Sequence, residues 1–92
     1  MIVRILGEGQ WRVDDGDVDA LNPLDEKVER AVEASDEGAF RPALEDLLAA
    51  VRRSGSQVGL DELVDSDLIL PPADASIEEV RDLLSDEGLI PG

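Results

Sequence analysis

Apolar and polar residues alternate along residues 2–13, which is the pattern of a β-hairpin with one buried face. The two strands are separated by Gly7-Glu8-Gly9, a three-residue loop in which Gly9 would take the left-handed conformation. This loop predicts the pairs Leu6 with Gln10, Ile5 with Trp11, and Val3 with Val13. We therefore expect Val3, Ile5, Trp11 and Val13 to face the core.

The same register places two cations, Arg4 and Arg12, opposite each other on the outer face of the hairpin. Like charges directly opposite each other destabilise a strand pair, so we expect a carboxylate to lie beside them. That carboxylate could come from the chain itself or from a partner protein. The chain itself is favoured, because it has 23 acidic residues and exposed ion pairs contribute only about 0–1 kcal/mol each.

The next apolar residues have helical spacing. Val18 and Leu21 predict a single helical turn that stops at Asn22. Asn22 then caps a second helix that has Pro23 at its first position and ends near Ser35. The apolar face predicted for this helix consists of Leu24, Val28, Ala31 and Val32.

The strongest helical periodicity follows Asp36, which is a predicted N-cap. Its apolar positions are Phe40, Ala43, Leu44, Leu47, Leu48 and Val51. Pro42 lies inside this pattern, so the first turn is expected to be distorted or to begin later. Arg52 and Arg53 are placed in the last turn, before Gly55, where cations compensate the helix dipole.

The C-terminal third of the chain predicts one strand. Residues 55–62 are rich in Gly, Ser and acids, which is typical of a loop. Leu68-Ile69-Leu70 is a short apolar run that Pro71-Pro72 stops, and we interpret it as a third strand.

A last helix follows this strand. Ser76 and Glu79 have the spacing of a capping box, and the amphipathic pattern after them ends around residues 86–88. Residues 89–92 are expected to be an apolar tail packed on the core. The fold predicted for residues 1–92 is thus a single α+β domain, in which an N-terminal β-hairpin and a short third strand pack against three to four helices.

The charge balance excludes several kinds of partner. Eight basic and 23 acidic residues give a net charge of −15, which repels nucleic-acid phosphates and anionic lipid headgroups. We therefore expect no nucleic-acid binding and no strong direct membrane binding. The same charge leaves an alternative function open, namely an acidic, antitoxin-like inhibitor or DNA mimic that binds a basic protein.

The residue inventory argues against catalysis. The chain contains no His, Cys or Tyr, which removes the commonest acid–base groups, nucleophiles and metal ligands. Asp14-Asp15-Gly16-Asp17 lacks the ligand spacing of an EF-hand, and Gly7-Glu8-Gly9 lacks the helix and lysine of a phosphate-binding loop. We expect no enzyme activity, catalytic residue, cofactor or metal; carboxylates converging in a pocket would instead indicate a metal-dependent enzyme.

Three segments resemble a known family. They are MIVRILGEGQWRV at residues 1–13, SDLILPP at residues 66–72, and residues 77–92, which end in LLSDEGLIPG. Together they are similar to the PspA-associated protein family, PspAA, and Pro42 is a departure from its pattern. The resemblance implies a small partner of PspA, the coiled-coil phage-shock protein of the membrane stress response, and it carries over no catalytic residues.

The sequence therefore predicts a protein-interaction module that binds or regulates a PspA-like coiled coil. We expect it to be cytoplasmic, since it lacks Cys, a signal peptide and an apolar run of about 18 residues, and to reach the inner face of the membrane through its partner. A monomer is the default. The candidate partner-binding residues are the basic side chains Arg4, Arg12, Arg52 and Arg53.

Overall fold

The architecture is α+β, with a four-stranded mixed sheet and three helices in the part of the chain that the structure describes. The structure is a computed structural model, and it describes residues 1–59, 61–62 and 64–83. The elements are β1 (Ile2–Ile5), β2 (Gly9–Arg12), α1 (Asp15–Glu33), α2 (Glu37–Ser54), β3 (Ser56–Gln57), β4 (Leu68–Leu70) and α3 (Ile77–Leu83). The strand order is β3-β2-β1-β4; β4 is parallel to β1 and the other neighbours are antiparallel.

The hairpin forms, but its predicted register is wrong by two residues. Val3 pairs with Trp11 and Arg4 with Gln10, so Arg4 does not lie directly opposite Arg12. The loop begins directly after Ile5, and the glycines at positions 7 and 9 both take positive φ angles, 84° and 134°. Because side chains alternate with a period of two, the shift leaves the predicted inner face buried.

Helix α1 is continuous, whereas the sequence predicted a break at Asn22. Pro23 lies inside the helix, where it cannot donate to the carbonyl of Asp19. Both Asp19 and Pro23 are exposed, so water can satisfy that carbonyl. The buried face extends across the proline, with Leu21, Asp25, Val28, Ala31 and Val32 buried and Val18 and Leu24 packed against the core.

Helix α2 agrees with the prediction in its cap and in its apolar face. The backbone N–H of Ala39 donates to Oδ1 of Asp36 at 3.1 Å, and all six predicted apolar positions are buried. The helix begins at Glu37, so Pro42 does not delay its start. Pro42 and Gly38, the residue whose carbonyl loses its donor, are both exposed, as at the proline of α1.

The sheet contains one strand that the sequence did not indicate. Ser56–Gln57, predicted as loop, pairs with Trp11 and Arg12 of β2. The predicted strand at Leu68–Leu70 is present as β4, and Asp67 fixes its start by accepting a hydrogen bond from the Ile2 N–H at 2.8 Å.

Helix α3 begins as predicted. The Glu79 N–H donates to Oγ of Ser76 at 3.2 Å, which is half of a capping box. The predicted end of this helix near residues 86–88 and the predicted apolar tail at residues 89–92 lie outside the described residues.

The core lies between the sheet and the helices and is mostly aliphatic. Phe40 and Trp11, the two aromatic residues of the chain, are both buried in it. The inner face of β1 and β2 supplies Val3, Ile5 and Trp11. The outer face of these strands, with Arg4 and Arg12, points away from the core.

Candidate interaction surface

The outer face of the hairpin is covered by the segment between β3 and β4. Gln10 is at its centre: its Nε2 donates to Oγ of Ser66 at 2.8 Å and to the carbonyl of Val64 at 3.1 Å. Arg4 reaches the same hydroxyl, with Nε 3.2 Å from Oγ of Ser66. The hydrogen-bond partner of Arg4 is thus a neutral hydroxyl and not a carboxylate.

Arg12 forms an ion pair with a carboxylate of the chain itself. Its Nη2 lies 3.2 Å from Oε2 of Glu62, and both side chains are about half exposed. The expectation that an acid of the chain would lie beside this cation is met, although Arg12 and Arg4 are not paired. An ion pair this exposed contributes about 0–1 kcal/mol, so it leaves the guanidinium free to exchange partners.

Arg52 and Arg53 lie in the last turn of α2, as predicted. Nε of Arg52 donates to Oε1 of Glu8 in the hairpin loop at 2.9 Å. This hydrogen bond raises the pKa of Arg52 above its ordinary value; partial burial lowers the pKa, and the charge of Glu8 raises it further. Arg53 is exposed and forms no ion pair within the described part of the chain.

Two other arginines join elements of the fold. Arg81 of α3 donates from Nη2 to the carbonyl of Val32 at 2.9 Å and to Oγ of Ser35 at 3.1 Å. It thereby caps the C-terminal end of α1, where Ser35 has a positive φ of 52°. Arg41 of α2 donates to the carbonyl of Ala73. Both side chains are therefore engaged within the fold.

A groove that the sequence analysis did not identify runs between α1 and α2. Its volume is about 480 Å³. Its lining residues are Lys27, Arg30, Ala31, Ala34, Asp36, Ala39, Pro42, Ala43 and Asp46. A sequence signal existed, because alanines recur on both helices at positions where a wider side chain would fill the space. Alanine also has the highest intrinsic helix propensity, so alanines in a helix do not by themselves indicate a groove.

Acidic side chains do not converge on a metal site in the described part of the chain, where no group of three or more possible ligands is found. The buried carboxylate of Asp25 lies on the inner face of α1 and is partnered. A second cavity, of about 270 Å³, lies between the outer face of the hairpin and the segment around Glu62, and Arg4 and Gln10 line it.

Comparison with protein families identifies the chain. The model of PspAA, the PspA-associated protein family, matches residues 1–92. The chain belongs to the PspA-associated protein family. The resemblance seen in three segments therefore extends over residues 1–92.

No curated protein and no solved structure matches the chain. Within the described residues, no helix of this PspA-associated protein is both long enough and apolar enough to cross a membrane.

Proposed function

We propose that this PspA-associated protein is a single, non-catalytic interaction domain that binds a PspA-like coiled-coil protein and regulates it in the bacterial envelope stress response. The observation that carries the proposal is the match of the family model to residues 1–92. The domain would act in the cytoplasm and reach the inner face of the membrane through its partner, since its charge of −15 opposes direct contact with anionic lipid.

The side-chain chemistry supports a binding role over a catalytic one. A chain without His, Cys or Tyr must use carboxylates, hydroxyls, lysine or arginine for any proton transfer. The long helices and the sheet instead offer broad surfaces on which charge and shape can select a partner.

We also propose that Arg4, Arg12, Arg52 and Arg53 help to orient this partner. The pair of Arg12 with Glu62 is exposed and weak, so a carboxylate of a coiled coil can replace Glu62 there. At Arg52 such a carboxylate would compete with the partly buried, two-point contact of Glu8. Charge at the rim of an interface acts mainly on the association rate and on its salt dependence.

The test measures binding between the purified chain and the PspA homologue encoded in the same genome, by biolayer interferometry at two salt concentrations. The wild-type chain is expected to bind, and its association rate constant to fall as salt rises. The Arg4→Glu/Arg12→Glu variant should associate more slowly and remain folded, with a slightly lower melting temperature because a carboxylate at position 12 would face Glu62. Arg4→Gln/Arg12→Gln should lie between it and the wild type.

The outcomes separate the two parts of this proposal. If the wild-type chain does not bind the PspA homologue, the proposed function is wrong. If it binds and the glutamate variant associates at the wild-type rate, the function stands and these arginines do not orient the partner. If the glutamate variant unfolds, the arginines act within the fold.

A further inference from the structure

The groove between α1 and α2 is lined mainly by small side chains. Its floor is formed by Ala31 and Ala43, which are 4% and 8% exposed, and its walls by Ala34, Ala39 and Pro42, which are exposed. Two neighbouring helices leave a groove that accepts the side-chain ridge of a third helix. The small side chains here let the backbone of a third helix approach closely.

The edges of the groove carry opposite charges. On the α1 edge lie Lys27 and Arg30, which are two of only eight basic residues in the chain. Lys27 forms no ion pair within the described residues, and Arg30 has only an exposed contact of 3.9 Å with Glu26 on its own helix. Asp36 and Asp46 lie on the α2 edge. A complementary helix therefore carries carboxylates along one side of its apolar ridge and cations along the other.

We infer that this groove holds one α-helix of the PspA-like partner, with the carboxylates of that helix beside Lys27 and Arg30. Coiled-coil helices present apolar residues flanked by charged positions, which is the chemistry that the groove complements. The inference rests on the proposed function and adds the contact surface. The helices pack on the inner face of the sheet, so this groove is separate from the outer face that carries Arg4 and Arg12.

The experiment uses two glutamine substitutions on the same helix. Ala39→Gln fills the groove, whereas Ala49→Gln, at an exposed alanine of α2 outside the groove, is the matched control. Binding to the PspA homologue is measured by biolayer interferometry and folding by thermal unfolding. We expect Ala39→Gln to raise the Kd about tenfold or more, mainly through faster dissociation, and Ala49→Gln to stay within about twofold of the wild type.

A third variant tests the charged edge. Lys27→Glu/Arg30→Glu should also weaken binding, and the effect should shrink at high salt because Coulomb interactions are screened. Hydrogen exchange of the wild-type chain gives an independent measurement that needs no variant. Amides around the groove, in residues 27–46, should exchange more slowly in the complex.

The outcomes differ for the function and for the groove. If the wild-type chain binds the homologue, and the Ala39 and Ala49 variants bind equally with no protection of residues 27–46, the groove is not the site and the proposed function stands. If the wild-type chain does not bind at all, the proposed function fails. If the chain alone forms a dimer that Ala39→Gln dissociates, the groove serves a second copy of this chain, and the inference is overturned.

Discussion

Gly55 connects α2 to β3 at a place where the chain has no room for a side chain. Its backbone angles, φ −99° and ψ 165°, are accessible to any residue, so conformation does not require glycine here. Space does. A Cβ at this position would lie 2.9 Å from the carbonyl oxygen of Val51, 3.0 Å from Cγ2 of Val13 and 3.1 Å from Cβ of Trp11.

The Gly55→Ala substitution should therefore destabilise the fold. The closest atom is a backbone carbonyl that also accepts the hydrogen bond from the Gly55 N–H at 2.8 Å, so moving away from it disturbs the end of α2. Overpacking of this kind costs about 1–3 kcal/mol. Alanine also lowers the conformational entropy of the unfolded chain, which by itself stabilises the fold by about 0.4–1 kcal/mol. At the middle of these two ranges the net loss is about 1.3 kcal/mol, and each kcal/mol lowers the Tm by about 4–8 °C in a domain of this size.

Thermal unfolding measured by circular dichroism tests this value, with fluorescence of Trp11, the single tryptophan, as a second probe. Gly16→Ala is the matched control, because Gly16 lies in the first turn of α1 and a Cβ there meets no atom within 4 Å. It should raise stability by about 0.5–1 kcal/mol, since alanine favours a helix more than glycine does. A Tm for Gly55→Ala equal to or above that of the wild type would refute the steric argument.

Three further predictions concern named contacts. Trp11→Ala, at a side chain 8% exposed, should lower the free energy of unfolding by about 3–5 kcal/mol in urea titrations followed by circular dichroism; a near-neutral result contradicts its place in the core. Asp36→Ala should cost about 0.5–2 kcal/mol because the Ala39 N–H loses its cap, and Asp36→Asn should restore most of it. A double-mutant cycle on Glu8 and Arg52, which form a two-point contact about one-third exposed, should give a coupling of about 1 kcal/mol that decreases in high salt; a coupling that salt leaves unchanged would contradict a pair open to solvent.

The hairpin shows what a sequence pattern can and cannot specify. Alternation determined that Val3, Ile5 and Trp11 face the core, and the structure confirms it. Alternation did not determine the register, because a shift of two residues keeps every side chain on its face. The hairpin turn selects between the two registers, because Gly7 and Gly9 take positive φ angles in it. The alternation of apolar and polar residues does not specify those angles.

The interaction surface was predictable only in part. The alternating pattern predicted that Arg4 and Arg12 lie on the outer face of the hairpin. The number of acidic residues indicated that carboxylates of the chain could pair with them. The partners themselves, Ser66 and Glu62, are 62 and 50 residues away along the chain, and only folding brings them to the hairpin. The groove likewise requires two helices to lie side by side.

Local rules determined the elements whose signals lie within a few residues of each other. The cap at Asp36, the apolar face of α2 and the short strand at Leu68–Leu70 follow from nearby side chains and turn residues. Tertiary structure decided the rest. Pro23 remains inside α1 because its helix is buried on the opposite face, and Ser56–Gln57 becomes a strand because β2 offers unpaired backbone groups at its edge. In both cases packing and backbone hydrogen bonding between distant parts of the chain outweigh local preference. A local sequence pattern does not contain these long-range interactions.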